Sequence, residues 1–494
     1  MTVANIAARL PGQTPNVNTP SLDYETMEKA RKLPRALVGG TDTMREGKAL
    51  WTPKLKEESD AELADRLKHH FLVDFYDQSV SDLVDRMYSQ GITFEGVPPQ
   101  VDELLANIDG QGRSVEKFFY DVTLDAGRYA YSTVHADHTP IKRDDKGNEI
   151  QMTEAEEAEA GRRPFLVHRK SADVISVDQT GGDGLPEVDQ ARIREMKIEK
   201  DGDYGQKASK FVRVLKRGEG GAPSTFELHK HDEERDIWEP QGVVTNTPPN
   251  SAGAVASKFS QVFLTPFYMG FERFHFARPQ YRNGADLCLQ HWQQKGDVDF
   301  IEHLANTPNL VLKADGKVKI KSIGSRKLVT IPSEGDLFWL VIDPKGVGAT
   351  KESIAHLEEH ILDAFKQPRR QKANAAELVG VRLMDEGKTM TRAQMWAVGI
   401  AQSITQCLDH LAWWLGLESG GTAEFPKDAL QMLTDPQGFA DVLKMHAQGA
   451  LSDFGTQEEA VRYGRLDEDF DIAADLERKA TQSPGLPTFE GGGE

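Results

Sequence analysis

Apolar residues recur at helical spacing in several separate blocks along the chain. Leu63, Leu67, Phe71, Phe75, Val80, Leu83 and Met87 fall mostly three to five positions apart, which predicts a helical block over about 60–87. A helical pattern also covers about 21–46, with Ser21 or Asp23 as its cap, and another covers about 115–132 on Phe118, Phe119, Val122, Leu124 and Tyr129. The period then changes. Short β-rich runs at 164–167, 174–177, 191–193, 211–215, 226–229 and 236–239 are split by Gly and Asp turns, so 160–270 reads as a mostly antiparallel β region. Helical spacing returns over about 284–304 and stops at Thr307-Pro308. A compact β segment follows (309–312, 318–323, 327–331, 337–342), then a helix over about 351–365. The longest amphipathic helix is predicted at about 391–417, with Ala397, Ile400, Ile404, Leu408, Leu411 and Leu415 on one stripe. Further helices follow at about 427–433, 436–448 and 457–463. Helix and antiparallel strand in separate blocks define an α+β chain.

Composition narrows the class. A chain of 494 residues exceeds one ordinary core, so two to four packed units are expected. Hydrophobic residues at 38% and charged residues at 28% describe a soluble globular protein. Apolar runs such as Leu411-Ala412-Trp413-Trp414-Leu415 fall far short of the roughly 18 residues a membrane-spanning helix needs. The N-terminus has no basic region followed by an apolar one, so no secretory signal is expected. Two widely separated cysteines, Cys288 and Cys407, exclude a disulfide framework or a cysteine-rich zinc site and point to a reducing cytoplasm. Net charge is −19, which argues against tight wrap-around nucleic-acid binding but not against a passage through which DNA moves without adhering.

Candidate chemistry is sparse. His356-Leu357-Glu358-Glu359-His360 fits the H-x-x-E-H pattern, in which two histidines one turn apart hold zinc and the glutamate activates water. The alternative is a solvated helix face, because Ile354, Leu357, Ile361 and Leu362 already make an ordinary amphipathic stripe beside it; that reading is preferred. Gly346-Val347-Gly348-Ala349-Thr350-Lys351 lacks the spacing of a phosphate-binding loop, and no G-x-S-x-G string occurs. No catalytic residue, metal ligand or cofactor is assigned. Two basic clusters oppose the global charge. Lys313, Lys317, Lys319, Lys321, Arg326 and Lys327 face the single acid Asp315 in the compact β segment. Lys366, Arg369, Arg370 and Lys372 lie, without an acid, in the stretch between two helices. Either is a solvated surface or a place for light phosphate contact.

The order of these segments, with several local strings, resembles the portal proteins of tailed bacteriophages. The strings are Asp23-Tyr24-Glu25, residues 49–55 (Ala-Leu-Trp-Thr-Pro-Lys-Leu), residues 161–166 (Gly-Arg-Arg-Pro-Phe-Leu), Leu287 with His291-Trp292-Gln293, Ala376-Glu377-Leu378, and residues 412–416 (Ala-Trp-Trp-Leu-Gly). The resemblance covers roughly residues 20–465. It implies a portal fold: an N-terminal arm (1–20), an α/β wing (21–280), a descending stem helix (281–304), a small β-rich clip (305–348) and an ascending stem helix (349–366). A tunnel loop (367–376), a spine helix (377–425), a helical crown (426–480) and a tail (481–494) complete it. It also implies a homo-oligomeric, usually dodecameric ring at one capsid vertex of the virion, assembled in the host cytoplasm, with no membrane partner. The ring would conduct double-stranded DNA without sequence specificity during packaging and ejection. Lys366, Arg369, Arg370 and Lys372 would touch DNA from the tunnel loop, and the basic clip would face terminase or the head–tail connector. Major capsid and scaffolding proteins are the other implied partners. A zinc hydrolase using His356, Glu359 and His360, or another virion assembly protein, are the alternatives.

Overall fold

The computed structural model describes residues 15–89, 91–139, 161–179, 186–247, 255–306, 309–313, 336–340, 345–365, 378–426, 438–462 and 470–481. In chain order these hold α1 (Leu22–Val38), α2 (Gly40–Glu46), α3 (Asp60–Leu67), α4 (Phe75–Tyr88), β1 (Thr93–Glu95), α5 (Pro99–Leu105), α6 (Val115–Tyr129) and β2 (Tyr131–His138). Next come β3 (Pro164–Arg169), β4 (Val174–Gln179), β5 (Val188–Asp201), β6 (Gly205–Lys216), β7 (Thr225–Asp232), β8 (Ile237–Thr245), β9 (Leu264–Tyr268), β10 (Phe271–Arg273) and β11 (Phe276–Ala277). The rest comprises α7 (Arg282–Asn306), β12 (Asn309–Lys313), β13 (Asp336–Leu340), α8 (Lys345–Phe365), α9 (Leu378–Trp414), β14 (Thr422–Glu424), α10 (Gly438–Ala447), α11 (Asp453–Arg462) and α12 (Ile472–Thr481). Helix and antiparallel sheet are mixed, as the α+β expectation requires.

The main core gathers one face each of α4, α6, α7, α8 and α9 around Tyr76, Phe118, Phe119, Trp292, Ile361 and Ile404, all buried. A three-stranded sheet ordered β3-β2-β9 lies against it, and Phe119 stacks on Phe267 of β9 with ring centroids 5.9 Å apart. The five-stranded sheet β4-β5-β6-β7-β8 has its own smaller core of Val174, Ala191, Ile193 and Leu215. β6 pairs along its whole length with β5, from Gln190↔Lys216 to Asp201↔Gly205. β1 and β14, far apart in sequence, pair through Phe94↔Ala423.

Helix starts follow their caps. The Ser21 hydroxyl accepts from Tyr24 N–H at 3.2 Å to open α1. At α3, Ser59 accepts from Glu62 N–H while Glu62 accepts from Ser59 N–H at 2.8 Å, a reciprocal capping box. Ser59→Ala is expected to lower stability by about 1 kcal/mol, the ordinary value of such a cap, read as a small fall in the urea midpoint.

The structure corrects the sequence reading at several points. The block predicted over 60–87 is two helices, because α3 ends at Leu67 and α4 restarts at Phe75, where the Asp74 carboxylate accepts from Asp77 N–H. Phe71, which falls on the predicted stripe, is exposed in the connection and stacks on the Arg45 guanidinium at 4.7 Å. The helix predicted to reach Ser132 ends at Tyr129. Ala130 takes a left-handed φ of 69°, and Tyr131 begins a buried strand. The longest helix runs over Leu378–Trp414 rather than 391–417. The pair β1–β14 has no counterpart in the sequence pattern.

Candidate functional site

α7 and α8 pack as an antiparallel pair, joined at the far end by the two strands β12 and β13, whose register runs from Asn309↔Leu340 to Lys313↔Asp336. α8 buries Ile354, Leu357, Ile361 and Phe365, a stripe at i, i+3, i+7 and i+11. Phe365, the last helical residue, is 1% exposed. Its ring sits 5.1 Å from Tyr281 and 5.8 Å from Tyr76, and a Cβ at Gly284 would come within 2.6 Å of it. Only glycine leaves room for this ring where α7 starts.

The other half of α7 is fixed to the segment after α2. Trp292 is fully buried and donates its indole N–H to the Thr52 hydroxyl at 2.9 Å; the Gln293 amide donates to the Trp51 carbonyl at 2.7 Å. Two strings that carry the portal resemblance, 49–55 and 287–293, therefore meet side by side. Gly296 admits the His70 ring, which a Cβ would contact at 2.0 Å. Arg66 pairs with Glu58 at 2.9 Å and with Asp297 at 2.7 Å. Arg66 is held above its ordinary pKa by the Glu58 hydrogen bond, burial working against it and Asp297 with it.

The sequence-derived contact residues fall beyond this frame. Lys366, Arg369, Arg370 and Lys372 lie outside the described residues, between Phe365 and Leu378. Lys317, Lys319, Lys321, Arg326 and Lys327 also lie outside them; Lys313 ends β12 opposite Asp336. On α8, His356 and Glu359 are 77% and 65% exposed, with 3.7 Å between the nearest atoms, and His360 shares that exposed face. The H-x-x-E-H string is thus solvated opposite the buried stripe. Among the described residues no group of three or more His, Cys, Asp or Glu side chains is placed to hold a metal.

Sequence reasoning missed two buried polar clusters. Ser132 Oγ lies 2.8 Å from His168 Nε2, and Asp125 Oδ2 lies 3.6 Å from the same nitrogen. A nucleophilic triad needs the carboxylate on the other ring nitrogen. Here both partners crowd one nitrogen in a closed interior, and Asp125 also accepts from Ser171 N–H at 3.3 Å. Burial pushes the Asp125 carboxyl up, but contacts to His168, Ser132 and Ser171 hold it below the ordinary range. The cluster locks α6 to β2 and β3. In the second, Glu195 accepts from Arg213 at 2.6 Å and pairs with Arg169 at 2.8 Å, while Arg213 reaches Asp137 at 3.1 Å. These charges join the five-stranded sheet to the three-stranded one. Their partners are 18 to 76 positions apart, which no local motif reveals.

Residues 283–415 match the model of a family described as a domain of unknown function, DUF4055. That stretch runs from the second residue of α7 to the residue after α9. No curated protein matches the sequence. Among solved structures, a chain in the neck of an empty gene transfer agent (GTA) particle, computed with C6 symmetry, is 12% identical; the match covers 86% of this chain and 99% of that one, with a TM-score of 0.39. A chain of the virion of a native GTA particle is 13% identical over 85% and 98%, with a TM-score of 0.37. A chain in the neck of the native particle, computed with C12 symmetry, is 13% identical over 86% and 99%, with a TM-score of 0.36. Among the described residues, no helix is long and apolar enough to cross a membrane.

Proposed function

We propose that this chain is a portal-type subunit of a phage-like particle. It forms a ring at one capsid vertex, conducts double-stranded DNA and docks terminase and a head–tail connector, without catalysing a reaction. One observation carries the reading. The antiparallel hairpin α7–β12–β13–α8 is rooted in the core by Phe365 and leads through a basic segment into a helix of 37 residues, α9. That order matches the stem, clip, stem, tunnel loop and spine of the family that the sequence resembles. In this reading α7 descends, β12 and β13 belong to the clip, α8 ascends, 367–376 forms the tunnel loop, and α10 to α12 belong to the crown. The net charge of −19 per subunit supports it, since a negative wall repels the DNA backbone and keeps it sliding.

Negative-stain imaging and native mass spectrometry test the reading on the full chain. A closed ring with a central hole is expected; a monomer at every salt concentration, or a ring without a hole, overturns it. Charge reversal at Arg369 and Arg370 to Glu should leave the ring intact while DNA retained per particle falls severalfold, measured by nuclease-protected DNA. Loss of assembly in that variant would displace the basic segment from the channel.

A further inference from the structure

From Gln394 to Leu408, α9 carries no charged residue, although 28% of the chain is charged and roughly four would be expected in that window. One side of this stretch is core: Ala397, Ile400, Ile404, Cys407 and Leu408 are all 2% exposed or less. The opposite side is Met395, Val398, Gly399, Gln402 and Gln406, a stripe at i, i+3, i+4, i+7 and i+11. Met395 is 73% exposed and Val398 61%, in a helix whose charge-free length would suit a buried element.

Gly399 sharpens the anomaly. A Cβ there would meet nothing within 4 Å, and its backbone is ordinary helix, so neither a close neighbour within the described residues nor a turn calls for glycine. In mid-helix it costs about 1 kcal/mol relative to alanine. A bare glycine beside an exposed methionine and valine suits the close approach of another backbone.

The charge balance identifies the occupant. Two copies of a chain of net charge −19 repel each other, and they approach at least cost where neither presents charge. Nucleic acid would select a basic surface, and a basic protein an acidic one; the neutral stripe gives neither a hold. We infer that the Met395–Val398–Gly399–Gln402–Gln406 face of α9 is where a second copy of this chain docks. This rests on the ring-forming reading above, in which each subunit offers one such face to a different surface of its neighbour.

The test uses the full chain. Wild type and the double variant Met395→Glu/Val398→Glu are compared by native mass spectrometry, with circular-dichroism melting as the control. The inference expects an assembled wild type and a folded, monomeric variant. A variant that assembles as wild type does overturns the docking face and leaves the ring reading standing; a wild type that is monomeric throughout overturns both. If the double variant does not fold, Val398→Cys replaces it, read by maleimide labelling. The native thiols are quiet, because Cys288 and Cys407 are buried and burial pushes the Cys288 thiol up to about 12. Labelling at least about tenfold slower in the assembly than in the dissociated chain is expected, the signature of a site closed by a partner. Equal rates, fast or slow, overturn the inference; slow rates in both would mean that the chain covers its own stripe.

Discussion

Glu195→Ala is expected to destabilise the protein by about 3–5 kcal/mol, because it strands Arg169 in a nearly closed interior and takes one of two carboxylates from Arg213. Arg169 and Arg213 retain only 12% and 11% side-chain exposure, and Glu195 itself 8%. Burial pushes the Glu195 carboxyl up, yet the two guanidinium charges hold it below its ordinary range, so it stays ionised and joins them. After truncation Arg213 keeps Asp137 at 3.1 Å, whereas Arg169 loses its carboxylate and already has an Nε without a hydrogen-bond partner. Glu195→Gln keeps the shape and loses the charge, and it should fall between wild type and alanine. The double variant Glu195→Ala/Arg169→Ala should cost less than the sum of the two singles. Urea unfolding followed by tryptophan fluorescence measures all four. A loss below about 1 kcal/mol for Glu195→Ala would place the network in water and remove its role in joining the sheets.

Acidification from pH 7 to pH 5 is expected to remove roughly 2 kcal/mol of stability for each of three buried histidines. Burial lowers the pKa of His275 and of His410 to about 3, and that of His70 to about 4, from an ordinary 6.5. Each ring is therefore neutral in the folded chain, while the unfolded chain takes up its proton near 6.5. Between 6.5 and 3–4 the unfolded state binds more protons, so stability falls as pH falls through that window and is full above it. Different neighbours set each site. His410 lies between Phe263 and Trp413, 3.3 Å from the Thr265 hydroxyl. His275 meets the Tyr131 hydroxyl at 2.7 Å, and His70 lies 3.7 Å from Asp297, whose charge only partly offsets burial. His410→Gln should remove about one proton from the linkage, flattening the stability slope between pH 6 and 5 by about 1.4 kcal/mol per pH unit. An unchanged slope in urea titrations at stepped pH would show that His410 does not take part.

Periodicity exposed the buried stripe of α8, a long helix with one apolar face, and Thr307-Pro308 marked where α7 stops. It failed where a connection imitated the period. Phe71 falls on the helical spacing but belongs to a linker, and nothing at Tyr129-Ala130-Tyr131 announces the switch from helix to strand, since a left-handed alanine replaces the usual glycine. The anchors beneath the hairpin were out of reach for another reason. Trp292 against Thr52 and Phe365 against Gly284 are contacts between distant segments, and a sequence shows only that each residue is large or small. The basic residues 366–372 were visible as charge alone. What the structure adds is the frame on which they hang.

Phe365 gives that frame a mechanical consequence. Fraying at a helix end ordinarily absorbs a tug on the chain beyond it, one residue at a time. Here the last turn of α8 is pinned by an aromatic ring wedged between Tyr76 and Tyr281, so a pull on residue 366 has no slack to consume. Force arriving at Phe365 passes directly into α4 and the start of α7, and it is the packed core that must yield or hold.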